Sequence, residues 1–360
     1  MRLPLLALIA AMPAVTYAQP LRVNDIAAVG THNSYKQPMP AETMSRLQVV
    51  SPPMAQALDY AHRPLAEQLD AGARQLEIDV NYDPRGGHYA KGSDDAELLK
   101  PGFKVLHIPG IDSSTSCLHL TACLATIRAW SDSHPGHVPI LLMFNAKEEQ
   151  NLARGGIDAL RFDEAAFNAL DAEIRSVLPP EKLITPDDVQ GRYPTLREAV
   201  LANNWPSLDA ARGRFIFALD EGPAKVALYR GARRSLEGRV FFINTDEVSP
   251  AAAYLTLNDP IADGARIRAA VSAGFLVRTC ADADTREARA NNTARRAAAL
   301  VSGAQYVSTD YMWPDERWPS GYAVRLPGGL TARCNPVRKP AGCQPAELDK
   351  AATPPLASPR

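Results

Sequence analysis

The sequence lacks an excess of charge of one sign, a C-x-x-C cysteine pair and, after residue 18, a long apolar run. Each absence excludes a class of protein. The 360 residues carry 39 basic and 40 acidic side chains, so no basic excess is available to bind nucleic acid. The five cysteines include no C-x-x-C pair, which excludes zinc ribbons and thioredoxin-like redox sites. After residue 18, no apolar stretch approaches the roughly 20 residues that a membrane-spanning helix needs.

The first 18 residues predict an export signal. Arg2 supplies one positive charge, an apolar run extends from Leu3 to Val15, and Ala18 is a small residue at the expected cleavage site. A buried N-terminal helix is the alternative interpretation. We therefore expect a secreted or periplasmic protein.

Four of the five cysteines form two local pairs. Cys117 lies six residues before Cys123 in a Ser/Thr-rich segment, and Cys334 lies nine residues before Cys343 in a Pro/Gly-rich one. Two local disulfides are expected if the compartment is oxidising. Cys280 lies in an apolar run and is expected to be a buried free thiol.

Short apolar segments alternate with helical stretches, which is the pattern of a parallel sheet with helical crossovers. Eight strands are predicted: Ile26–Gly30, Gln75–Val80, Lys104–His107, Pro139–Phe144, Arg214–Leu219, Val240–Ile243, Phe275–Thr279 and Tyr306–Thr309. The predicted helices are Pro64–Ala71, Leu118–Ser133, Asp163–Leu178, Thr195–Ala202, Ala262–Ala273 and Thr285–Ser302.

This order favours an α/β fold of the closed (β/α)8 TIM-barrel type, with an irregular barrel as the alternative to a regular one. We expect the barrel to form a single catalytic domain over residues 19–312. A doubly wound open sheet would place a Gly-rich turn after the first strand, and Gly30-Thr31-His32-Asn33 is not one. Residues 313–360, with Pro and Gly throughout, are expected to be an appended C-terminal extension and loose tail.

Polar residues collect at the carboxyl ends of the predicted strands, where a (β/α)8 barrel carries its chemistry. They are His32 and Asn33, Glu77 and Asp79, His107, Asn145 and Lys147, Arg278, and Asp310. Glu77 and Asp79 are two residues apart and share one face of their strand. Two carboxylates beside an amide oxygen suit Ca²⁺, with Mg²⁺ the less favoured ion. Each histidine alone suits a structural role, but two at one rim suit proton transfer in phosphoryl chemistry.

Four motifs together resemble the calcium-dependent phosphoinositide-specific phospholipase C family of bacteria, within the PLC-like phosphodiesterase superfamily. The motifs are Thr31-His32-Asn33-Ser34-Tyr35, Leu76-Glu77-Ile78-Asp79, Val105-Leu106-His107 and Arg278-Thr279-Cys280-Ala281-Asp282-Ala283-Asp284-Thr285. The resemblance extends from about residue 24 to 312. It implies an exported enzyme that cleaves phosphatidylinositol-type lipids to diacylglycerol and an inositol cyclic phosphate.

The resemblance also implies a role for each matched residue. His32 would be the general base for the inositol 2-hydroxyl or a stabiliser of the phosphoryl oxygens. His107 would be the acid that protonates the diacylglycerol oxygen. Asn33, Glu77 and Asp79 would be calcium ligands.

One position departs from the family pattern. Related calcium-dependent enzymes place a carboxylate near the end of the fourth strand, where this chain has Asn145. A neutral oxygen there predicts weaker metal affinity. Lys147 is a candidate for substrate phosphate or for part of the cation charge, and Arg278 for phosphate or for an ion pair inside the barrel. Asp310 is a candidate for the substrate site, for orienting His32, or for a simple salt bridge.

Two alternative functions use the same barrel. A glycerophosphodiester phosphodiesterase or phospholipase D type enzyme begins with a His-Arg-Gly turn, and His32-Asn33-Ser34 opposes it. A catalytically impaired, secreted lipid-binding barrel is supported by Asn145 and opposed by the two histidines. The expected partners are a phospholipid or inositol phosphodiester substrate and, transiently, a membrane surface. We expect no nucleic acid partner and a monomeric protein.

Overall fold

A computed structural model of the chain describes residues 20–152 and 155–350. The predicted export signal, residues 1–18, lies outside the described residues, and so does the end of the C-terminal extension from residue 351. Among the described helices, none combines the length and the apolar character that crossing a bilayer requires.

Within the described residues, ten strands form one curled sheet. They are β1 (Ile26–Thr31), β2 (Gln75–Asn81), β3 (Ile140–Lys147), β4 (Leu183–Ile184), β5 (Phe215–Leu219), β6 (Phe241–Ile243), β7 (Tyr254–Thr256), β8 (Leu276–Cys280), β9 (Tyr306–Thr309) and β10 (Ala332–Cys334). The order is β4-β5-β3-β2-β1-β9-β8-β7, with β6 on β5 and β10 on β1. The pairings are parallel except that of β10 with β1. A single bridge from Asn244 to Tyr254 links the end of β6 to β7.

Helices connect these strands and cover the sheet. They are α1 (Ala41–Val50), α2 (Pro52–Leu58), α3 (Leu65–Asp70), α4 (Leu120–Ser133), α5 (Glu164–Val177), α6 (Pro186–Gln190), α7 (Leu196–Leu201), α8 (Leu208–Ala211), α9 (Pro223–Arg230), α10 (Gly264–Ala273), α11 (Arg286–Ala290) and α12 (Ala294–Val301). Because helices lie over parallel strands, the strands are buried on both faces, as in β2 and β5. The prediction of an α/β, TIM-type barrel with an irregular sheet is confirmed.

The close approach of β1 to β2 depends on one glycine. A Cβ placed on Gly30 would lie 2.1 Å from the backbone oxygen of Gln75, so no larger residue fits there without moving a strand. The chain leaves β1 immediately afterwards at His32 and Asn33. Gly30 therefore helps to position the first two residues of the site.

The prediction of a strand at Lys104–His107 is wrong. This segment forms only isolated bridges, in which Lys104 pairs with Asn81 and with His119. Val105 and Leu106 are buried, and this burial produces the apolar run that imitates a strand. The strand that lies beside β2 is instead β3. The short strands β4, β7 and β10 were not predicted because two or three residues show no usable periodicity.

The helix predicted over Thr285–Ser302 is two helices, α11 and α12. Asn291 has a left-handed backbone (φ 49°) and ends α11, and α12 starts at Ala294. Thr285 precedes α11 but does not cap it with its side chain, because its hydroxyl donates to the backbone oxygen of Gln56 instead. Asn291-Asn292-Thr293 are poor helix formers in the middle of this charged, Ala-rich region, so the sequence does carry a signal for the break that the prediction passed over.

The described part of the C-terminal extension packs on the barrel instead of lying loose. Strand β10 pairs with β1, and Tyr322, Val324 and Leu348 are buried. Arg74 Nε lies 2.6 Å from Asp349 Oδ2 in an ion pair that is almost completely buried. The domain boundary at residue 312 stays a prediction.

Both predicted disulfides are present. Cys117 is bonded to Cys123, and Cys334 is bonded to Cys343. Cys280 is a free thiol, as predicted, but it is half-buried and lines the cleft instead of being fully buried. Desolvation raises its pKa to about 12, so it is not a thiolate at neutral pH. The two bridges tie local loops to the barrel, one beside α4 and one after β10.

Candidate active site

A polar cleft of about 360 Å³ lies at the carboxyl ends of the strands. Its lining residues are His32, Asn33, Glu77, Asp79, His107, Asn145, Lys147, Asp220, Asn258, Arg278, Cys280, Asp282, Ala283, Asp284 and Arg295. The structure therefore brings together all but one of the residues predicted for the site. The exception is Asp310, which lies behind His32 and lines a neighbouring groove.

His32 is held from one side by a buried carboxylate. Its Nδ1 lies 2.8 Å from Asp310 Oδ1, and its Nε2 lies 3.6 Å from Glu77 Oε1. The imidazole is 38% exposed, so it reaches the cleft, whereas the Asp310 side chain is only 2% exposed. This geometry favours the orienting role of Asp310 over a substrate contact.

The charges around His32 raise its affinity for a proton. Burial alone would lower the pKa of His32, but the carboxylates of Glu77 and Asp310 outweigh burial and raise that pKa to about 9. In the metal-free protein the imidazole is therefore protonated at neutral pH. A role for His32 as a general base would require the negative charge of these neighbours to be offset.

His107 reaches the cleft from a loop and not from a strand end. Its Nδ1 lies 2.9 Å from Asp112 Oδ2, and the same oxygen lies 3.2 Å from Lys36 Nζ. The side chains of Lys36 and Asp112 have no exposed surface. Because Asp112 engages Nδ1, Nε2 is the ring nitrogen that can serve a reacting group.

Glu77 is engaged on both carboxylate oxygens. Arg278 donates to Oε2 at 2.7 Å, and the Asn145 side-chain amide donates to Oε1 at 3.0 Å. Burial raises the pKa of Glu77 above its usual value, although His32 and Arg278 act in the opposite direction. The structure places Arg278 in the ion pair inside the barrel, and its side chain is only 2% exposed.

Asp79 and Lys147 form the second ion pair of the cleft. Lys147 Nζ lies 3.4 Å from Asp79 Oδ2 and 3.4 Å from Glu149 Oε1. Burial would lower the pKa of Lys147, but these two carboxylates outweigh it and raise that pKa above its usual value. Asp79 Oδ1 is buried and has no hydrogen-bond partner among the described residues.

Asn33 is fixed by its backbone and by two tyrosines. It has a left-handed backbone (φ 47°), which asparagine tolerates better than most residues. Its amide donates to the Tyr60 hydroxyl at 2.8 Å, and the Tyr35 hydroxyl lies 3.4 Å from its oxygen. Among the described residues, the side-chain oxygen of Asn33 thus accepts one long contact, at the base of the cleft.

The donor set of the cleft fits a calcium ion by type. Within residues 20–152 and 155–350, no group of three or more His, Cys, Asp or Glu side chains is placed to hold a metal. The available donors are the carboxylates of Glu77 and Asp79 and the amide oxygens of Asn33 and Asn145, all hard oxygens of the kind that calcium prefers. The unpartnered Asp79 Oδ1 is the strongest structural sign of a missing ligand.

Sequence reasoning missed several residues of the site. Asp220 directly follows β5, so the strand-end argument applied to the other strands would have found it; burial raises its pKa above the usual value. Asp112 lies five residues after His107, but only the turn between them makes the contact. Tyr60 and Asn258 lie in loops, where no pattern in the sequence indicates a role.

A larger groove of about 720 Å³ adjoins the cleft behind His32. Tyr60 and Asp310 line the groove and also contact the imidazole of His32. Helix α1 forms part of its rim and has no buried residue. At the end of α1, Val49 and Val50 are 84% and 82% exposed. Helix α1 therefore carries exposed apolar residues and borders the groove that adjoins the cleft.

Comparison with known proteins identifies the family. The model of one family, described as phosphoinositide phospholipase C, Ca²⁺-dependent, matches residues 21–336. A calcium-dependent phosphoinositol-specific phospholipase C from a Gram-negative Pseudomonas sp. has a similar structure, with a TM-score of 0.54 and 19% identity over 88% of this chain and 96% of that one. The calcium-dependent phosphatidylinositol-specific enzyme from Streptomyces antibioticus gives a TM-score of 0.52 and 20% identity over 81% and 95%.

A curated relative from the fungus Arthroderma benhamiae, PI-PLC X domain-containing protein 1, is 28% identical over 210 residues. That alignment covers 56% of this chain and 52% of the relative, so the chain spans about half the length of the relative. The family match, in contrast, covers most of the chain and includes every predicted site residue. The chain belongs to the calcium-dependent phosphoinositide phospholipase C family of phosphodiesterases.

Proposed function

We propose that the protein is an exported phosphodiesterase that cleaves phosphatidylinositol-type lipids into diacylglycerol and an inositol cyclic phosphate. The observation that carries this proposal is the pair of histidines on one cleft, each with a carboxylate on Nδ1. Asp310 contacts His32, and Asp112 contacts His107. Both arrangements leave Nε2 for a reacting group, as acid–base catalysis requires.

The two histidines have separate tasks in the proposed reaction. His32 Nε2 takes the proton of the inositol 2-hydroxyl, and that oxygen bonds to phosphorus. The bond from phosphorus to the diacylglycerol oxygen breaks, and His107 Nε2 gives this oxygen its proton. Asp310 and Asp112 stabilise each ring while it carries positive charge. The products are a cyclic phosphate and free diacylglycerol.

Asn33, Glu77 and Asp79 would hold calcium, with Asn145 as a neutral fourth donor. When bound, calcium supplies positive charge that favours ionisation of the hydroxyl and stabilises charge on the phosphate oxygens. The Glu77 carboxylate is also one of the two groups that keep His32 protonated in the metal-free protein. The same carboxylate therefore serves the metal and sets the proton affinity of the base.

Contact with a membrane surface belongs to the same proposal. The substrate is a lipid in a bilayer, so the cleft must face that surface. Helix α1 supports this orientation because its exposed Val49 and Val50 lie on the helix that borders the groove beside His32. Export and a monomeric state are further parts of the proposal; the apolar run of residues 3–15 and the two disulfides support export.

The proposal is tested by incubating the purified protein with vesicles of phosphatidylinositol labelled in the head group, with calcium or with a chelator. We expect a labelled inositol cyclic phosphate in the aqueous phase, and much less of it with the chelator. Glycerophosphodiesters and phosphatidylcholine vesicles are the controls. Cleavage of either control, with phosphatidylinositol intact, would support the glycerophosphodiester phosphodiesterase or phospholipase D alternative. No cleavage at all would support the impaired lipid-binding barrel.

A further inference from the structure

Lys147 forms an ion pair with Asp79, which is one of the proposed calcium ligands. Its ammonium lies 3.4 Å from Asp79 Oδ2, and the two side chains are 17% and 2% exposed. Water and salt therefore screen this attraction only weakly. The strand register produces the contact, because Asp79 pairs with Asn145 and Asn81 pairs with Lys147 in the β2–β3 ladder. Lys147 is thus the diagonal neighbour of Asp79 on the adjoining strand.

The ammonium does not complete the site. Asp79 Oδ1 remains buried without a hydrogen-bond partner among the described residues, and leaving such an oxygen unsatisfied costs free energy. Lys147 also has a second carboxylate within reach, since its Nζ lies 3.4 Å from Glu149 Oε1. The Glu149 side chain is 54% exposed, so it lies towards solvent. Lys147 therefore has one partner inside the cleft and one at the rim.

We propose that Lys147 is an internal competitor of calcium at Asp79. In the metal-free protein the ammonium neutralises Asp79, and when the ion binds, Lys147 leaves Asp79 and keeps Glu149 as its partner. The exchange is purely electrostatic, and no proton is transferred. The inference rests on the proposed assignment of Asp79 as a calcium ligand. It makes Lys147 the residue that sets how much calcium the enzyme needs.

Calcium titration of the purified chain without substrate, by isothermal calorimetry, tests the inference directly. Lys147→Met removes the charge and keeps the chain length, so we expect calcium to bind about tenfold more tightly, which corresponds to about 1.4 kcal/mol. Lys147→Arg keeps the charge and should bind calcium like the wild type. In thermal unfolding, the stabilisation by calcium over a chelator should be larger for Lys147→Met than for the wild type.

Lys225 provides a matched control. Its side chain is also 17% exposed, and it pairs with Glu221 at 2.8 Å and donates to the Ala146 backbone oxygen, beside Lys147. Lys225→Met therefore removes the same charge at the same edge of the sheet but leaves Asp79 untouched. We expect its calcium affinity to stay within about twofold of the wild type, because Lys225 pairs with Glu221 and with none of the proposed calcium ligands. Lys147→Gln is the second variant if Lys147→Met does not fold, as judged by circular dichroism.

The outcomes separate this inference from the proposed function. Unchanged affinity in Lys147→Met, or the same gain in Lys225→Met, would overturn the inference. So would lipid cleavage by a wild type that binds no calcium, although the cleavage itself would uphold the proposed function. Tighter calcium binding in Lys147→Met without cleavage of any lipid would support the competition and contradict the proposed function.

Discussion

Asp112 offers the sharpest test of how the cleft is built, because it contacts both His107, the proposed general acid, and the buried ammonium of Lys36. Asp112→Asn removes the carboxylate that lies 2.9 Å from His107 and 3.2 Å from Lys36. Neither Lys36 nor Asp112 has exposed side-chain surface. Breaking a buried ion pair by removing one partner typically costs about 3–5 kcal/mol, because the remaining charge is left uncompensated. We expect the free energy of unfolding of Asp112→Asn to fall by about that amount.

The same variant should lose activity for a separate reason. Without Asp112, His107 is neither oriented nor stabilised when it carries charge. A positioned acid contributes about 10²–10⁴-fold, and we expect most of this factor to be lost on the natural lipid. A synthetic substrate with a nitrophenolate leaving group needs little protonation and should recover most of the loss.

A double variant separates the two effects. Lys36→Met in the Asp112→Asn background removes the orphaned ammonium, so urea unfolding should show most of the lost stability restored. Turnover of the natural lipid should stay low, because His107 still lacks its carboxylate. If the double variant regained both stability and turnover, Asp112 would be a purely structural residue and its assigned role of orienting His107 would be wrong.

Three further predictions follow from the described contacts. Either His32→Ala or His107→Ala should reduce turnover of the lipid by about 10²–10⁴-fold. The nitrophenolate substrate should rescue His107→Ala far more than His32→Ala, and equal rescue of the two variants would contradict the assigned roles. Burial lowers the pKa of His137 to about 4, below the ordinary 6.5, so the unfolded chain takes up the proton first as pH falls. The stability that the neutral imidazole of His137 contributes should therefore be complete above pH 6.5 and fall by about 3 kcal/mol towards pH 4. Urea unfolding of His137→Gln should show a flatter profile between these two pH values; an unchanged profile would exclude this group. Val49→Asp should weaken sedimentation of the protein with phosphatidylinositol vesicles without altering the fold. The control Val248→Asp changes a valine that is 79% exposed outside α1, and it should not weaken sedimentation. Equal effects of the two variants would contradict the contact of α1 with the membrane.

The fold and the core of the site could be predicted because their signals are local. A run of apolar residues predicts a strand wherever the strand lies, and a two-residue spacing places Glu77 and Asp79 on one face without any knowledge of the neighbours. The local cysteine pairs were predictable for the same reason. His107 lines the cleft but was assigned to the wrong element, since a buried loop and a strand produce the same apolar run.

The contacts between these residues could not be predicted in the same way. Glu77 and Arg278 are 201 residues apart, and only the curling of the sheet brings them to 2.7 Å. For that reason, the sequence could not decide whether Arg278 contacts phosphate or forms an ion pair. The structure also shows that Lys147 contacts Asp79, although the sequence indicated only that Lys147 points into the cleft.

The sequence by itself determined the class of fold, the two disulfides and the residue types that face the cleft, because strand periodicity and residue spacing follow from the geometry of the backbone alone. Only the tertiary structure decided how those charges are paired: Asp310 with His32, Asp112 with both His107 and Lys36, Lys147 with Asp79, and Arg278 with Glu77. Charge pairing depends on distances of a few ångströms between segments that are far apart in the chain, and those distances exist only once the sheet has curled and its loops have packed.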